Sequence, residues 1–341
     1  MTEQEKHSYP MTRRQEDPIQ RGPVDHSTYG PNRASARSLK GTLGARWVWM
    51  STIAVLIFVA IYLAAIQTYL GQYLENAALL GAKSISTEQL DESLDRLHVI
   101  SIASLVVMMV IYALIGFFRR TWEVAVAGMA ILGVSAVSAE LLKRVILPRP
   151  DLTGLIPDSV HNSFPSGHTT IAMAILLSLI VVVAYRWRGW VVGFAMIWAA
   201  SVGAATVTAR WHRFSDTLGA DALALFVAAL VTLWLLQRGS IVAGGSKTYP
   251  FRVIYVVLAG VFALGALVVG LILVLATLNN FEIFAQLSQA HSAGVAPQLT
   301  AHLDPTFNEN IFYAAQSLAF AFSTIAALWF WATFHRIQTR G

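Results

Sequence analysis

Cysteine is missing from the 341-residue sequence, so disulfides and thiol chemistry are excluded, and cysteine usage gives no clue to compartment. Charge is scarce as well. Charged residues make up 13% of the chain and hydrophobic ones 56%, whereas soluble domains carry roughly 25% charged residues. That balance excludes an ordinary soluble globule. No cleavable leader is apparent, because the first apolar run begins late and is long enough to span a bilayer. The glycines, Gly244-Gly245 included, form no phosphate-loop pattern, and nothing in the sequence signals nucleic-acid binding.

What is present in abundance is apolar length. Crossing a hydrocarbon core takes about 20 helical residues, and eight runs approach or exceed that: 47–70, 98–118, 122–142, 169–185, 190–209, 217–236, 253–277 and 311–334. The fourth is short, and Thr169 and Thr170 extend it. The pattern predicts an all-α, polytopic membrane protein of about eight transmembrane helices. Residues 1–46 are polar, Pro-dotted and without hydrophobic periodicity, and read as a disordered cytoplasmic tail. The many Trp residues read as interface anchors and packing.

Basic residues set the expected orientation. With the N-terminus inside, inner segments hold 17 Lys/Arg and outer segments seven, and the first outer loop, 71–97, is acidic. Both termini are then cytoplasmic. Five of the seven outer cations run against that grain: Lys143, Arg144 and Arg149 before the fourth span, Arg210 and Arg213 after the fifth. Cations grouped near histidines suggest an anion, most naturally a phosphate.

His168 and His212 are 44 positions apart, with two spans and a tight turn between them, so both return to the same face. Pro165 suits a helix start, and Ser166-Gly167-His168 forms the first turn of the fourth span. Helix N-termini offer unpaired N–H groups and a favourable dipole to an anion, and Gly167 allows close approach. His168 can donate a proton near neutrality. In His212-Arg213-Phe214-Ser215-Asp216 the imidazole and carboxylate stand at i and i+4. On a helical turn the carboxylate orients the ring through Nδ1 and leaves Nε2 as a nucleophile.

Arg149-Pro150, Pro165-Ser166-Gly167-His168 and His212…Asp216, in that order and at these separations, resemble the type 2 phosphatidic acid phosphatase superfamily of membrane lipid phosphatases, site-related to vanadium haloperoxidases. That family's signature is Lys, six residues, Arg-Pro; then Pro-Ser-Gly-His; then Ser-Arg, five residues, His, three residues, Asp. The resemblance covers about 120–240, and by topology it implies a six-helix core over 47–240, with two further spans in 241–341. It implies His212 as nucleophile forming a phosphohistidine, Asp216 as its orienting carboxylate, and His168 as acid toward the leaving oxygen. Arg149, Ser166 and the Gly167 amide would hold phosphate oxygens, without metal or other cofactor. The implied partners are the bilayer and a lipid phosphate or pyrophosphate ester at the outer leaflet. Which lipid, and the oligomeric state, stay open. So do a phosphotransferase built on the same intermediate and a catalytically degenerate protein that binds or translocates lipid phosphates.

Two positions depart from the signature. Leu142 stands at the lysine position, so Lys143 is read as reaching the phosphate from one residue further on. Ala205-Thr206 stand where Ser-Arg is expected, and Arg210, four residues beyond 206 on the same helical face, is read as supplying the missing guanidinium. Arg213 reads as a solvated or headgroup-facing charge. Arg119, Arg120, Arg186 and Arg188 read as topology determinants, and Glu140 as an ion-pair partner of Lys143. Asp221 is either a tether or part of the site. His161 reads as a loop residue, and the outer segment 279–309 as a lid or an interfacial helix.

Overall fold

The computed structural model describes residues 33–153, 162–243, 250–278, 305–334 and 337–339. It falls into two units, Met1–Gly41 and Thr42–Gly341. Among the described residues ten α-helices run in order: α1 (Arg33–Ile61, continued by a π turn, Tyr62–Ile66), α2 (Tyr69–Gly81), α3 (Thr87–His98), α4 (Ile102–Arg119), α5 (Trp122–Leu141, continued by a π turn, Leu142–Ile146), α6 (Gly167–Val182), α7 (Tyr185–Thr208), α8 (Phe214–Arg238), α9 (Pro250–Leu278) and α10 (Pro305–Phe334). Two short strands, β1 (Ile241–Ala243) and β2 (Ile337–Thr339), pair antiparallel with Val242 opposite Gln338.

Among the described residues, seven helical stretches are long and apolar enough to cross a membrane: Gly41–Ile66, Ile102–Arg119, Trp122–Ile146, Tyr185–Thr208, Phe214–Arg238, Val253–Thr277 and Pro305–Phe334. With α6 they stand where the eight expected runs stand, and the chain is an all-α multi-pass membrane protein. α6 has only 16 residues, yet 12 of them are buried. A helix that is apolar all round belongs inside a bundle, and α6 packs against α5, α7, α8 and α10. Its one mid-helix hydroxyl, Ser178, is met by that of Tyr112.

Two stretches differ from expectation. Residues 33–46, expected as the end of a disordered tail, are already helical. Pro31 is the last proline before Pro148, so nothing interrupts the helix on its way into the first span. The acidic segment 71–97 is mostly helix. Thr68 and Ser86 cap α2 and α3 by accepting the N–H groups of Gly71 and Gln89. Residues 279–304, His161 and the Gly244-Gly245 pair lie outside the described residues.

The two C-terminal spans behave differently from each other. α9 leaves most of its apolar surface uncovered, whereas most of α10 is buried. Phe330 and Phe334 of α10 pack against the fully buried Trp47, with ring centroids 5.2 and 6.1 Å apart. Beyond α10, the chain end is tied down by two arginines. Arg119 donates to the carbonyls of Val182 and Thr339 at 2.6 and 3.1 Å. Arg188, fully buried, donates to Ile337 O at 2.8 Å and to Phe334 O at 3.4 Å, and its guanidinium lies 4.7 Å from the Phe334 ring centroid. Both charges therefore act as clasps, whatever they contribute to topology.

Candidate active site

At the opposite end of the bundle from the β1–β2 pair, three segments meet: the end of α5 with its continuation to Thr153, the entry to α6, and the α7–α8 turn. Backbone joins two of them directly, Ser166 N–H donating to Asp216 O at 2.9 Å. Asn162 joins the third by donating its amide to the carbonyls of Lys143 and Leu147. Beneath them the buried Phe164 ring packs on Phe58 and Tyr62. It also lies on Gly219, where any Cβ would collide with it.

The α7–α8 turn explains how His212 is aimed. α7 ends in a Schellman motif: Arg210 N–H donates to Val207 O at 3.1 Å and Trp211 N–H to Thr206 O at 3.2 Å. His212 N–H also donates to Thr206 O, which folds the chain back over the helix end. α8 then starts at Phe214, and Asp216, in its first turn, reaches back to accept the Arg213 N–H at 2.9 Å. Ser163 donates to the same oxygen, Asp216 Oδ2, at 2.6 Å. The His212 imidazole is thus brought to 3.5 Å, Nδ1 to Asp216 Oδ2, outside hydrogen-bonding geometry and within charge contact. Both residues are buried.

His168, in the first turn of α6, places its ring centroid 6.3 Å from that of His212 and 5.2 Å from that of Trp211. Ser166 is the α6 N-cap and accepts the Thr169 N–H at 3.3 Å. A Cβ on Gly167 would come within 3.3 Å of Glu140 Oε1 and 3.7 Å of Lys143 Nζ. Lys143, on the π turn that ends α5, therefore brings its ammonium beside the α6 start while paired to Glu140 at 2.6 Å. Arg144 pairs with the other oxygen of Glu140 and is mostly exposed.

Arg149 is almost fully buried and lies 3.9 Å from Asp216 Oδ1 through Nη1. Its other terminal nitrogen donates to Glu75 Oε2 at 3.0 Å. Glu75 projects from α2, and its second oxygen accepts the Ser215 N–H at 3.3 Å. Burial, then the charge of Asp216, pushes the Glu75 carboxyl above its ordinary value, and the Arg149 guanidinium pulls against both. Among the described residues, the buried atoms Arg149 Nη1, Asp216 Oδ1, His212 Nδ1 and Ser215 Oγ of this cluster meet no hydrogen-bond partner. Such atoms are uncommon in folded interiors and cost about 1–3 kcal/mol each. Among the described residues no three His, Asp or Glu side chains are grouped as a metal site requires.

The two loop arginines exchange their expected places. Arg210 sits at the C′ position of the α7 Schellman motif, in the left-handed region at φ 60°, and is exposed. The helix has ended at Thr208, so the i, i+4 relation to position 206 that suggested Arg210 is broken. Arg213, expected in solvent, is buried and donates to Ser163 Oγ at 3.2 Å. Thr206 itself is buried, its hydroxyl directed to Gly203 O and the Thr217 hydroxyl. Asp221 is buried and accepts from Ser323 of α10 at 2.6 Å.

Glu75, Ser163 and Arg213 are the site neighbours that sequence reasoning missed. A signal for the first existed: Gln72, Glu75 and Asn76 share one face of α2 at i, i+3 and i+4. All three are buried on the Arg149 segment. Gln72 donates to Pro150 O and accepts from Leu152 N–H, and Asn76 donates to Thr153 Oγ1.

Comparison with known proteins bears on the same region. Residues 124–240 match the sequence model of the PAP2 superfamily. No curated protein matches the chain. Among solved structures, the crystal structure of the first transmembrane PAP2 type phosphatidylglycerolphosphate phosphatase from Bacillus subtilis is 24% identical, covering 54% of this chain and 94% of that one. Its TM-score is 0.44, too loose a likeness to bear on function. The stretch that runs from α5 through α8 and holds His168, His212, Asp216, Lys143 and Arg149 is thus the part of this multi-pass helical membrane protein that is similar to the PAP2 superfamily.

Proposed function

We propose that the protein is a membrane phosphatase that hydrolyses a lipid phosphate or pyrophosphate ester at the extracytoplasmic face through a phosphohistidine on His212. The observation that carries this reading is the meeting of His212, its buried carboxylate Asp216, a second imidazole and two cationic side chains at one end of the bundle. A binding protein has no need of an imidazole held against a buried carboxylate. The excess of basic residues on the other side, 17 against seven, supports the outward orientation.

The phosphoryl group is held by Arg149, by Arg213 in place of the guanidinium absent at 206, by Lys143, and by Ser166 and the Gly167 amide at the α6 start. His212 Nε2 attacks phosphorus, and a P–N bond forms as the P–O bond to the lipid breaks. His168 gives its proton to the departing lipid oxygen. Asp216 steadies the positive imidazole ring through Nδ1. Water then attacks, giving a proton back to His168 as the P–N bond breaks and phosphate leaves. The cations and amides stabilise charge as it develops on the phosphoryl oxygens.

The test is phosphate release from a panel of lipid phosphates by the full-length protein in detergent with chelator present. Release from at least one lipid that disappears in His212→Ala, with a ³²P-labelled histidine trapped by acid-free quenching, is the expected result. Release that survives in His212→Ala overturns the mechanism, and phosphate recovered on an added alcohol in place of water turns the assignment to a transferase.

A further inference from the structure

The mechanism leaves one buried ionisable group at the site without a task. Glu75 comes from α2, outside the segment 124–240, and yet it contacts two of the site's donors, the Arg149 guanidinium and the Ser215 N–H. It is held there firmly. Gln72 and Asn76 bind the same face of α2 to 150–153. On its other side α2 packs on α10, where Tyr73 meets Phe307 and Gly81 touches the backbone of Asn308 so closely that a Cβ would collide.

Charge limits how an anion can enter. The guanidiniums of Arg149 and Arg213 face the carboxylates of Glu75 and Asp216, so these four groups balance in charge. A phosphoryl dianion brings two more negative charges to a water-poor site, where like charges repel strongly. One carboxylate must yield. Asp216 cannot do so cheaply, since it carries the Ser163 and Arg213 N–H bonds and faces His212. Glu75 can, because a guanidinium and a backbone N–H are donors that a phosphate oxygen satisfies equally well.

Resting on the phosphatase reading above, we infer that Glu75 is a built-in stand-in for the substrate's phosphoryl group. Together with Asp216 it neutralises the two guanidiniums in the resting site, and it takes up one proton when a tetrahedral oxyanion replaces it. After hydrolysis it loses that proton and competes phosphate out again, so Glu75 sets the affinity for substrate and the release of product. It is a positioning residue that never reacts. The raised proton affinity of its carboxyl favours the same exchange. The charged groups facing it are Arg149 from the segment after α5, and Arg213 and Asp216 at the start of α8; α10 presents apolar Phe307 and Ile311 to the same helix.

Sulfate is the suitable probe, being a dianion with no proton to lose near neutrality. Calorimetric titration of the full-length protein at pH 8 is expected to give roughly tenfold tighter sulfate binding in Glu75→Gln than in wild type, about 1.4 kcal/mol. The variant-to-wild-type ratio of sulfate affinities is the diagnostic quantity. With lipid substrate the variant lowers KM and also lowers kcat, because product leaves slowly. A readout on the wild type avoids dependence on the variant's folding. Sulfate binding is expected to produce a carboxylic-acid stretch in the infrared difference spectrum, absent from Glu75→Gln. Sulfate affinity unchanged or weakened in a folded Glu75→Gln, or no such band in wild type, overturns the stand-in and makes Glu75 a fixed prop for Arg149. Wild-type protein that binds no sulfate at all overturns the phosphate site itself, and the inference with it.

Discussion

Each end of this bundle ties down a pair of arginines, and the pairs differ in what they touch. At the β1–β2 end, Arg119 and Arg188 donate to backbone carbonyls of Val182, Phe334, Ile337 and Thr339. Carbonyls at helix and strand ends neither titrate nor move, so these cations hold one arrangement and do nothing further. At the other end Arg149 meets Glu75 and Asp216, and Arg213 meets Ser163 beside the same acids. Carboxylates can take protons or be replaced by another anion. Around them lie polar atoms with unspent hydrogen-bonding capacity. A buried arginine alone says little about function, and the chemistry of its acceptors says a good deal.

That comparison is broken most sharply at His212. Replacing it with Ala removes the proposed nucleophile without touching an arginine clasp. Turnover is expected to fall by about 10³-fold or more, as when a member of a catalytic set is deleted, with the melting temperature in detergent unchanged. Arg213→Ala comes next. Losing one donor to a developing oxyanion costs about 10²–10³ in rate, and Arg213→Lys recovers only part, since an ammonium cannot present the planar fork. Phosphate release per folded protein measures both. A normal rate in Arg213→Ala would reduce Arg213 to a structural contact with Ser163 that takes no part in holding phosphate.

The matching change at the other end is Arg188→Met. It leaves the acceptors Ile337 O and Phe334 O without their donor and removes the stacking on Phe334. Unmet buried acceptors cost about 1–3 kcal/mol each. The expected result is a stability loss of roughly 3 kcal/mol, read as a lower melting temperature, while kcat of the surviving folded fraction is unchanged. A loss of turnover without a loss of stability would mean that the two ends communicate.

How much of this was legible in the sequence depends on the range of the forces involved. The spans were readable because apolar length is a local property, and even the short α6 could be placed. The partners within one turn were readable too: His212 with Asp216, and Glu140 with Lys143, are i, i+4 and i, i+3 pairs. Contacts between distant segments were not. Glu75 meets Arg149 across 74 positions and Ser163 meets Asp216 across 53, and no local period announces either. The error over Arg210 and Arg213 has a different origin. Extending α7 by one more turn put Arg210 on the face of Thr206, but the Schellman motif ends the helix first and turns the next residues inward.

Arg210 therefore gives the smallest effect, and one of opposite sign. It occupies a C′ position at φ 60°, which glycine adopts freely and a residue with a Cβ adopts at a cost of about 1 kcal/mol. Its side chain is exposed, and among the described residues it makes no hydrogen bond or ion pair. Arg210→Gly is expected to raise stability by up to about 1 kcal/mol, offset in part by the greater freedom of glycine in the unfolded chain. Phosphate release should stay within about twofold of wild type, the modest change expected when an exposed charge near, but not in, a site is removed. The two readouts separate the alternatives. A guanidinium that served the phosphate would cost activity in Arg210→Gly and in Arg210→Ala alike. A guanidinium that only occupies a strained cap would leave activity level in both and make the glycine variant the more stable of the two.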